Sequence, residues 1–540
     1  MGITTTGAVE SGVNQTCGQS AIAFLEAHGV DTVFGIPGVH TLDFYRGLAQ
    51  SAIRHVGVRH EQGAGFMADG YARASGKPGV CVLITGPGVV NAGTAIGQAF
   101  SDSVPMLVLS SVNARDDLGR GRGRLHEIAD QQAVMAPLTG FSRTIMRPEE
   151  LSTAMADAYA LFEAARPRPV HIEIPLDVLA GPGIAAVDTR GRRKPPAPDK
   201  TAIEAAAELI SGARLPVVIG GGGTLDAGPA LQRFIEKAGA ILIPTVAAKG
   251  VVADDHPQSL GSTLSLPATL DLVAAADVMV AAGTELGETS HWTEKLPFAG
   301  RLIRIDVDPR TLVRDYPPDV AILADARQAL EALAARIAIR SAPDPERIAA
   351  VRSANAGDRR SLSAKHLAVL DALRAALPED GIVATDMTQI AYTGNWHFPC
   401  RRPRSWFHPD GFGTLGYALP AAIGAKLAAP ERAVVALAGD AGFLFTVQEL
   451  ATAAELGLSL PILLWNNDAL GQIAGDMVSR GIPEIAVRPR NPDFQALARA
   501  FHCQARRPES LEALKAALVE AFAADGPTLI EVHQNAPYLD

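Results

Sequence analysis

The chain has 540 residues, of which 48% are hydrophobic and 20% charged, and its formal net charge is −10. That length is too great for one hydrophobic core and predicts three domains of roughly 150–180 residues each. The composition is that of a globular protein, which excludes a disordered or fibrous chain; no basic stripe points to nucleic acid, and no apolar run reaches membrane-spanning length.

Cys17, Cys81, Cys400 and Cys503 lie far apart without a CxxC pair, so neither a zinc site nor a disulfide framework is expected. No charged segment followed by an apolar one opens the chain, and the reading is a cytoplasmic protein with reduced thiols. In chain order, the patterns predict a helix over 64–74, a strand over 80–85, a helix over 92–101, and strands over 106–110 and 170–174. Residues 181–200, rich in Gly, Pro and charge, read as a linker. Strands follow over 217–220, 241–244, 278–281 and 302–306. A second linker is read over 341–358, polar and poor in helix formers at its start. The last segment carries strands over 434–438 and 461–465. Cutting at the linkers leaves domains at 12–180, 200–340 and 359–540. Short, nearly continuous apolar strands alternating with helices predict an α/β protein of three doubly wound parallel-sheet domains.

A weak internal repeat joins the outer segments. Residues 79–111 and 432–467 both run strand, Gly-rich turn, helix, proline, strand. The second copy carries Gly439-Asp440-Ala441-Gly442 after an apolar strand and Asn467, 27 positions on, after the next. Adjacent parallel strands would bring both turns to one sheet edge. Backbone N–H groups there hold phosphate, and Asp and Asn oxygens beside phosphate suit Mg²⁺. Taken singly, Gly-Asp is an ordinary turn and Asn-Asn-Asp an ordinary loop.

With these motifs the sequence resembles the thiamine-diphosphate family that includes 2-oxo acid decarboxylases and acetolactate synthases, whose signature is Gly-Asp-Gly followed some two dozen residues later by Asn-Asn. Ala441 stands where that signature has its second glycine. Further resemblance lies in Phe34-Gly35-Ile36-Pro37-Gly38, in His60-Glu61 with the small residues that follow, in Gly86-Pro87-Gly88 with Asn91, and in Gly413-Thr414-Leu415-Gly416. The resemblance implies pyrimidine-binding, central Rossmann-like and diphosphate-binding domains. It implies Mg²⁺ on Asp440, Asn467 and the Ala469 carbonyl, with Glu61 at the pyrimidine N1′. Leu415 would wedge between the cofactor rings, with the Gly413 carbonyl accepting from the 4′-nitrogen. Thr388 and Gln389 would meet the diphosphate, and Pro37, Gly439, Ala441, Gly442 and Leu470 complete the implied cofactor contacts. It further implies a homodimer as the minimal unit, commonly assembled as a tetramer.

Within that family the chain is most similar to the 5-guanidino-2-oxopentanoate decarboxylases, on residues 33–42, 59–71, 385–389 and 466–473. Flavin (FAD) is not expected, because the acidic-Arg segment of the synthases is replaced by Gly283-Thr284-Glu285-Leu286-Gly287-Glu288. The synthase pocket Phe-Gln falls on Leu125-His126 and its Trp on Asp476. Gln472 and Asp476, four apart on one helix face, would line the substrate pocket, with Asp476 receiving a guanidinium; Glu285 and Glu288 are alternatives, and a solvated helix-start acid is the plain reading. His126 would return a proton or hold the substrate carboxylate, or be structural. His40, His60 and His291 are read as structural. The glycines at 220–223 are a weak nucleotide signal. An acetolactate-type carboligase and a non-catalytic cofactor-binding scaffold stay open.

Overall fold

The computed structural model describes residues 15–184, 193–358 and 363–540; residues 12–14, part of the 181–200 linker and the start of the 359–540 segment lie outside the described residues. The chain forms two compact units. The first comprises the described parts of Met1–Ala68, Pro78–Glu163 and Pro167–Arg193; the second comprises Asp69–Lys77, Ala164–Arg166 and the described parts of Lys194–Asp540.

The first unit is built on β1 (Thr32–Gly35), β2 (Arg54–Gly57), β3 (Gly79–Leu83), β4 (Met106–Val112), β5 (Phe141–Thr144) and β6 (Val170–Pro175). Every pairing is parallel, in the order β2-β1-β3-β4-β6-β5. Every residue of β3, β4 and β6 is buried, as strands covered on both faces require. β3 stops at Leu83 rather than at Thr85, because the chain turns through Gly86 at φ +67°. The helix predicted from residue 92 begins at Pro87, where the missing N–H costs nothing. The helix predicted over 64–74 runs Glu61–Ser75.

The second unit holds two sheets. β7 (Pro216–Gly220), β8 (Ile241–Pro244), β9 (Val278–Ala282), β10 (Arg301–Asp306) and β11 (Val320–Leu323) pair in parallel as β11-β10-β9-β7-β8. Val218, Val280 and Ile303 face one apolar cluster; Val217, Ile219 and Met279 face the other. Each such side chain stabilises the fold by about 1.5–3 kcal/mol. β12 (Ile382–Thr385), β13 (Trp406–Phe407), β14 (Val434–Gly439), β15 (Pro461–Asn466), β16 (Gln504–Arg506) and β17 (Thr528–His533) pair as β13-β12-β14-β15-β17-β16, again all parallel. Numbered within its own sheet, this is the strand order of the first unit. The repeat read in the sequence therefore matches β3 and β4 with β14 and β15, and the α/β class with three parallel sheets holds.

One local reading is corrected. Part of the presumed linker at 341–358 is the helix Pro345–Ala356: Asp344 caps it by accepting the Glu346 N–H at 2.9 Å, and Ile348 is buried in the core. Asp-Pro was the start signal, and a narrow apolar face concealed the helix. Within the glycine run at 220–223, Gly221 and Gly223 serve close packing. A Cβ on Gly221 would lie 2.3 Å from the Gly283 oxygen, and the Gly223 N–H donates to that oxygen at 3.0 Å. That N–H is spent on the turn after β9. Among the described residues no helix is long and apolar enough to cross a membrane.

Candidate active site

In the first unit, the candidate side chains lie where β1, β2 and β3 end. Glu61 is the first residue of its helix and only 9% exposed. Its Oε2 accepts from Asn91 Nδ2 at 3.0 Å, and a Cβ on Gly88 would lie 3.3 Å from its Oε1. Pro37, in the turn after β1, is exposed.

The Gly86 turn rests on a buried polar network. Gly86 N–H donates to Gln131 Oε1 at 2.7 Å. Gln131 Nε2 donates to Ser110 Oγ at 3.2 Å, to the Ser111 carbonyl at 3.0 Å and to Glu173 Oε2 at 2.8 Å. Burial pushes the Glu173 carboxyl up, while Thr144 and Gln131 pull it back. His171, between Ser110 and Ser142, is pushed down to about 3 by burial and is neutral.

His126 folds back over this turn at φ +59°, and a Cβ on Gly86 would meet its carbonyl oxygen at 2.5 Å. Asn113 Nδ2 holds the preceding carbonyl, of Leu125, at 3.0 Å. Glu127 ties down the same loop by accepting the N–H groups of Arg122 and Arg124 at 3.1 and 2.9 Å. The His126 ring meets the His40 ring edge-on at 5.1 Å, and the buried Nδ1 of each lacks a hydrogen-bond partner. His40, read as structural, thus stands beside His126; burial, then His126, lowers its pKa. Buried ring nitrogens without a partner are rare in a finished core.

In the second unit, β14 and β15 are adjacent, and the turns after them meet as the spacing required. Asp440 is 2% exposed and Asn467 7%. Burial pushes the Asp440 carboxyl up; the Asn491 side chain and the N–H groups of Ala441 and Asn467 act the other way. A divalent cation would reverse the effect of burial. Among the described residues no three His, Cys, Asp or Glu side chains form a metal-holding group. A cation on Asp440 and Asn467 would therefore be completed by backbone oxygens and by oxygens of its own ligand, which is how Mg²⁺ is held beside phosphates.

The glycines confirm how tightly the turns interlock. A Cβ on Gly439 would lie 2.7 Å from Thr388 Oγ1, one on Gly442 2.9 Å from Asp386 Oδ2, and one on Gly471 2.6 Å from Gln389 Oε1. Ala441, by contrast, is partly exposed, so its methyl is tolerated at the departing position. Ala469 is buried, its N–H donating to Asn467 Oδ1 at 3.2 Å, and the Leu470 N–H donates to the Val487 carbonyl at 2.8 Å. A diphosphate and its cation fit this donor set.

Leu415 is half-buried between Gly413 at φ +67° and Gly416 at φ +82°. The Gly416 peptide is gripped from both sides. Its N–H donates to both Asp386 oxygens at 3.0 Å, and its carbonyl accepts from Thr446 Oγ1 at 2.7 Å. On the helix Gly471–Ser479, Gln472 Nε2 donates to Asp476 Oδ1 at 3.2 Å, so the two share a face as predicted. Tyr392 belongs to the same region, its phenol pushed up to about 12 by burial, with Asp386 and Asp476 adding to it. Glu285 is already paired with Arg166 at 2.5 Å.

Sequence reasoning missed Asn491. Its Nδ2 donates to Asp440 Oδ2 at 2.7 Å, Asp468 Oδ1 at 3.2 Å and Asn466 Oδ1 at 3.3 Å, while its own Oδ1 is buried and unpartnered. An Asn-Pro turn was the only sign of it. Asp386 was missed too. It is 1% exposed, and burial pushes its carboxyl up to about 7 against the N–H groups of Met387, Gly416 and Tyr417.

The folded protein thus keeps a proton that an unfolded Asp, near pKa 3.9, releases. The stability this confers is fully present below the unfolded value and is lost as pH rises through about 7. Relative to Asp386→Asn, the wild type is expected to lose on the order of 2–3 kcal/mol of unfolding free energy between about pH 5 and pH 7. Denaturation of both proteins across that range checks it, and parallel profiles would refute it.

Comparison with known proteins gives a consistent result. Sequence models of the thiamine pyrophosphate enzyme N-terminal, central and C-terminal domains match residues 15–134, 203–333 and 386–532. The chain is 54% identical over 525 residues to the probable 2-ketoarginine decarboxylase AruI of Pseudomonas aeruginosa, covering 96% of this chain and 94% of that protein. It is 31% identical over 533 residues to the acetolactate synthase isozyme 1 large subunit of Escherichia coli, covering 95% and 93%. It is 32% identical over 546 residues to a probable acetolactate synthase large subunit of Methanocaldococcus jannaschii, covering 95% and 91%.

Proposed function

The chain belongs to the thiamine pyrophosphate enzyme family, and on that premise we propose that it decarboxylates 5-guanidino-2-oxopentanoate to 4-guanidinobutanal and CO₂, a step of arginine catabolism. The observation that carries the substrate class is Asp476. It is a half-buried carboxylate one helical turn from Gln472, and among the described residues no Lys, Arg or His pairs with it. A guanidinium is the complement of such a group. The relative at 54% identity is named for this reaction.

When bound, thiamine diphosphate supplies the electron sink into which the bond to CO₂ breaks. The protein holds and orients. Asp440, Asn467 and the Ala469 carbonyl would hold Mg²⁺; Thr388, Gln389, Leu470 and the turn from Gly439 through Ala441 to Gly442 would hold the diphosphate. Leu415, the Gly413 carbonyl and Pro37 would contact the thiamine portion of the cofactor. Glu61 moves a proton at its Oε1. His126 would hold the substrate carboxylate or deliver the proton that replaces CO₂, and Gln472 would line the pocket. A homodimer as minimal unit, a homotetramer as assembly, a cytoplasmic location, and domain limits at 12–180, 200–340 and 359–540 belong to the same proposal.

A panel of 2-oxo acids, with CO₂ and aldehyde followed separately, tests it. The guanidino acid is expected to give the highest kcat/KM, with one aldehyde per CO₂. The relatives at 31% and 32% identity are named an acetolactate synthase large subunit and a probable one, which keeps carboligation as the second reading. Pyruvate as best substrate, with CO₂ in excess of aldehyde, would establish it. A non-catalytic scaffold has no use for a buried Glu61. For the specificity residue, Asp476→Asn is expected to raise KM about thirtyfold for the guanidino acid and no more than about twofold for an uncharged 2-oxo acid. Equal losses on both would refute the assignment.

A further inference from the structure

We propose that Asn91 is a positioning residue that fixes which oxygen of the Glu61 carboxylate is offered to the cofactor. This rests on the reading of Glu61 as the proton-moving residue. The carboxylate's two oxygens have different neighbours. Oε2 accepts from Asn91 Nδ2 at 3.0 Å, whereas Oε1 faces Gly88, where an added Cβ would stand 3.3 Å away. Gly88 has no side chain because one would also strike Ile84, at 2.6 Å, and its absence leaves a slot beside Oε1. One oxygen is held and the other is left open.

The donor's own placement is secure. Asn91 lies on the helix Pro87–Ser101, whose entry is pinned by the bond from Gly86 N–H to Gln131 Oε1. Glu61 has three side-chain torsions, and unrestrained it would spread over several rotamers, each presenting the oxygens differently. A charge-assisted hydrogen bond to one oxygen selects among them. Proton transfer at the other oxygen gains from that selection, because misplacement of a reacting group by an ångström costs about a hundredfold in rate.

Asn91 is exposed, and the bond to Glu61 is its one side-chain hydrogen bond among the described residues. A purely structural role would be slight, and removing the amide leaves the core intact. The effect on chemistry can therefore be read separately from folding.

Three quantities are compared in wild type, Asn91→Ala and Asn91→Asp: the thermal midpoint of the cofactor-free protein, the affinity for thiamine diphosphate with Mg²⁺, and the exchange of the cofactor C2 proton in deuterated buffer without substrate. Asn91→Ala is expected to slow the exchange about tenfold, with affinity within about threefold and an unchanged thermal midpoint. Asn91→Asp keeps the outline but replaces the donor by a second carboxylate, and is expected to be at least as slow. Exchange within about twofold of wild type in both variants overturns the proposal, and so does a loss that follows a lowered thermal midpoint. Glu61→Gln is measured beside them. Wild-type exchange in that variant would sink the reading of Glu61 itself, whereas slow Glu61→Gln with normal Asn91 variants sinks only the role of Asn91.

Discussion

Asp440→Ala protein is expected to bind thiamine diphosphate at least about a hundredfold more weakly than wild type in saturating Mg²⁺. Asp440 is the carboxylate at the junction of the turns after β14 and β15; Asn467 brings only a neutral oxygen. Without it the cation loses its charged protein ligand, and with the cation goes most of the hold on the diphosphate. The variant separates binding from folding in an informative way. Asp440 is buried, and burial disfavours its ionised form. Removing a carboxylate from such a place leaves the thermal midpoint of the cofactor-free protein unchanged or raises it. Tryptophan-fluorescence titration of the cofactor and a thermal melt without it supply the two readings. Wild-type affinity would remove Asp440 from the metal site. Asn491→Ala, which takes away the amide aiming the carboxylate at 2.7 Å, is expected to cost about tenfold, as loss of a supporting hydrogen bond at a metal site does.

Glu61→Gln is expected to lower kcat by about a thousandfold while cofactor affinity stays within a few-fold of wild type. Glutamine keeps the shape and loses the ability to move a proton. Its amide oxygen would accept from Asn91 Nδ2, which leaves an NH₂ donor where Oε1 stood. The decarboxylation rate and the cofactor C2 proton exchange should fall together. If only KM rises, Glu61 binds and does not catalyse.

Glycine positions show how far local sequence could be read. Gly439 and Gly442 belong to a signature visible in the chain, and each is crowded by a side chain from another turn, Thr388 and Asp386 respectively. The intervening Ala441 is partly exposed, which is why the departure from the signature leaves the turn undisturbed. In the run at 220–223, a weak nucleotide signal in the sequence, Gly221 and Gly223 are pressed against Gly283. The two cases read alike in one dimension, because a glycine needed for close approach and one needed for a ligand leave the same letter.

The sequence by itself determined the three parallel sheets, the kinship of the first with the last, and the meeting of Asp440 with Asn467. All three depend on short-range regularities: apolar strands, helices between them, and functional residues at strand ends. Parallel pairing carries such ends to one edge. Tertiary structure alone decided the supports. Gln131 reaches Gly86 across 45 positions and Asn491 reaches Asp440 across 51, each from outside the motif it serves. Asn91 reaches Glu61 across 30. Periodicity records which face of an element is buried. It carries no record of which distant amide will complete a hydrogen bond, since that depends on how separate elements pack, and many packings share one pattern.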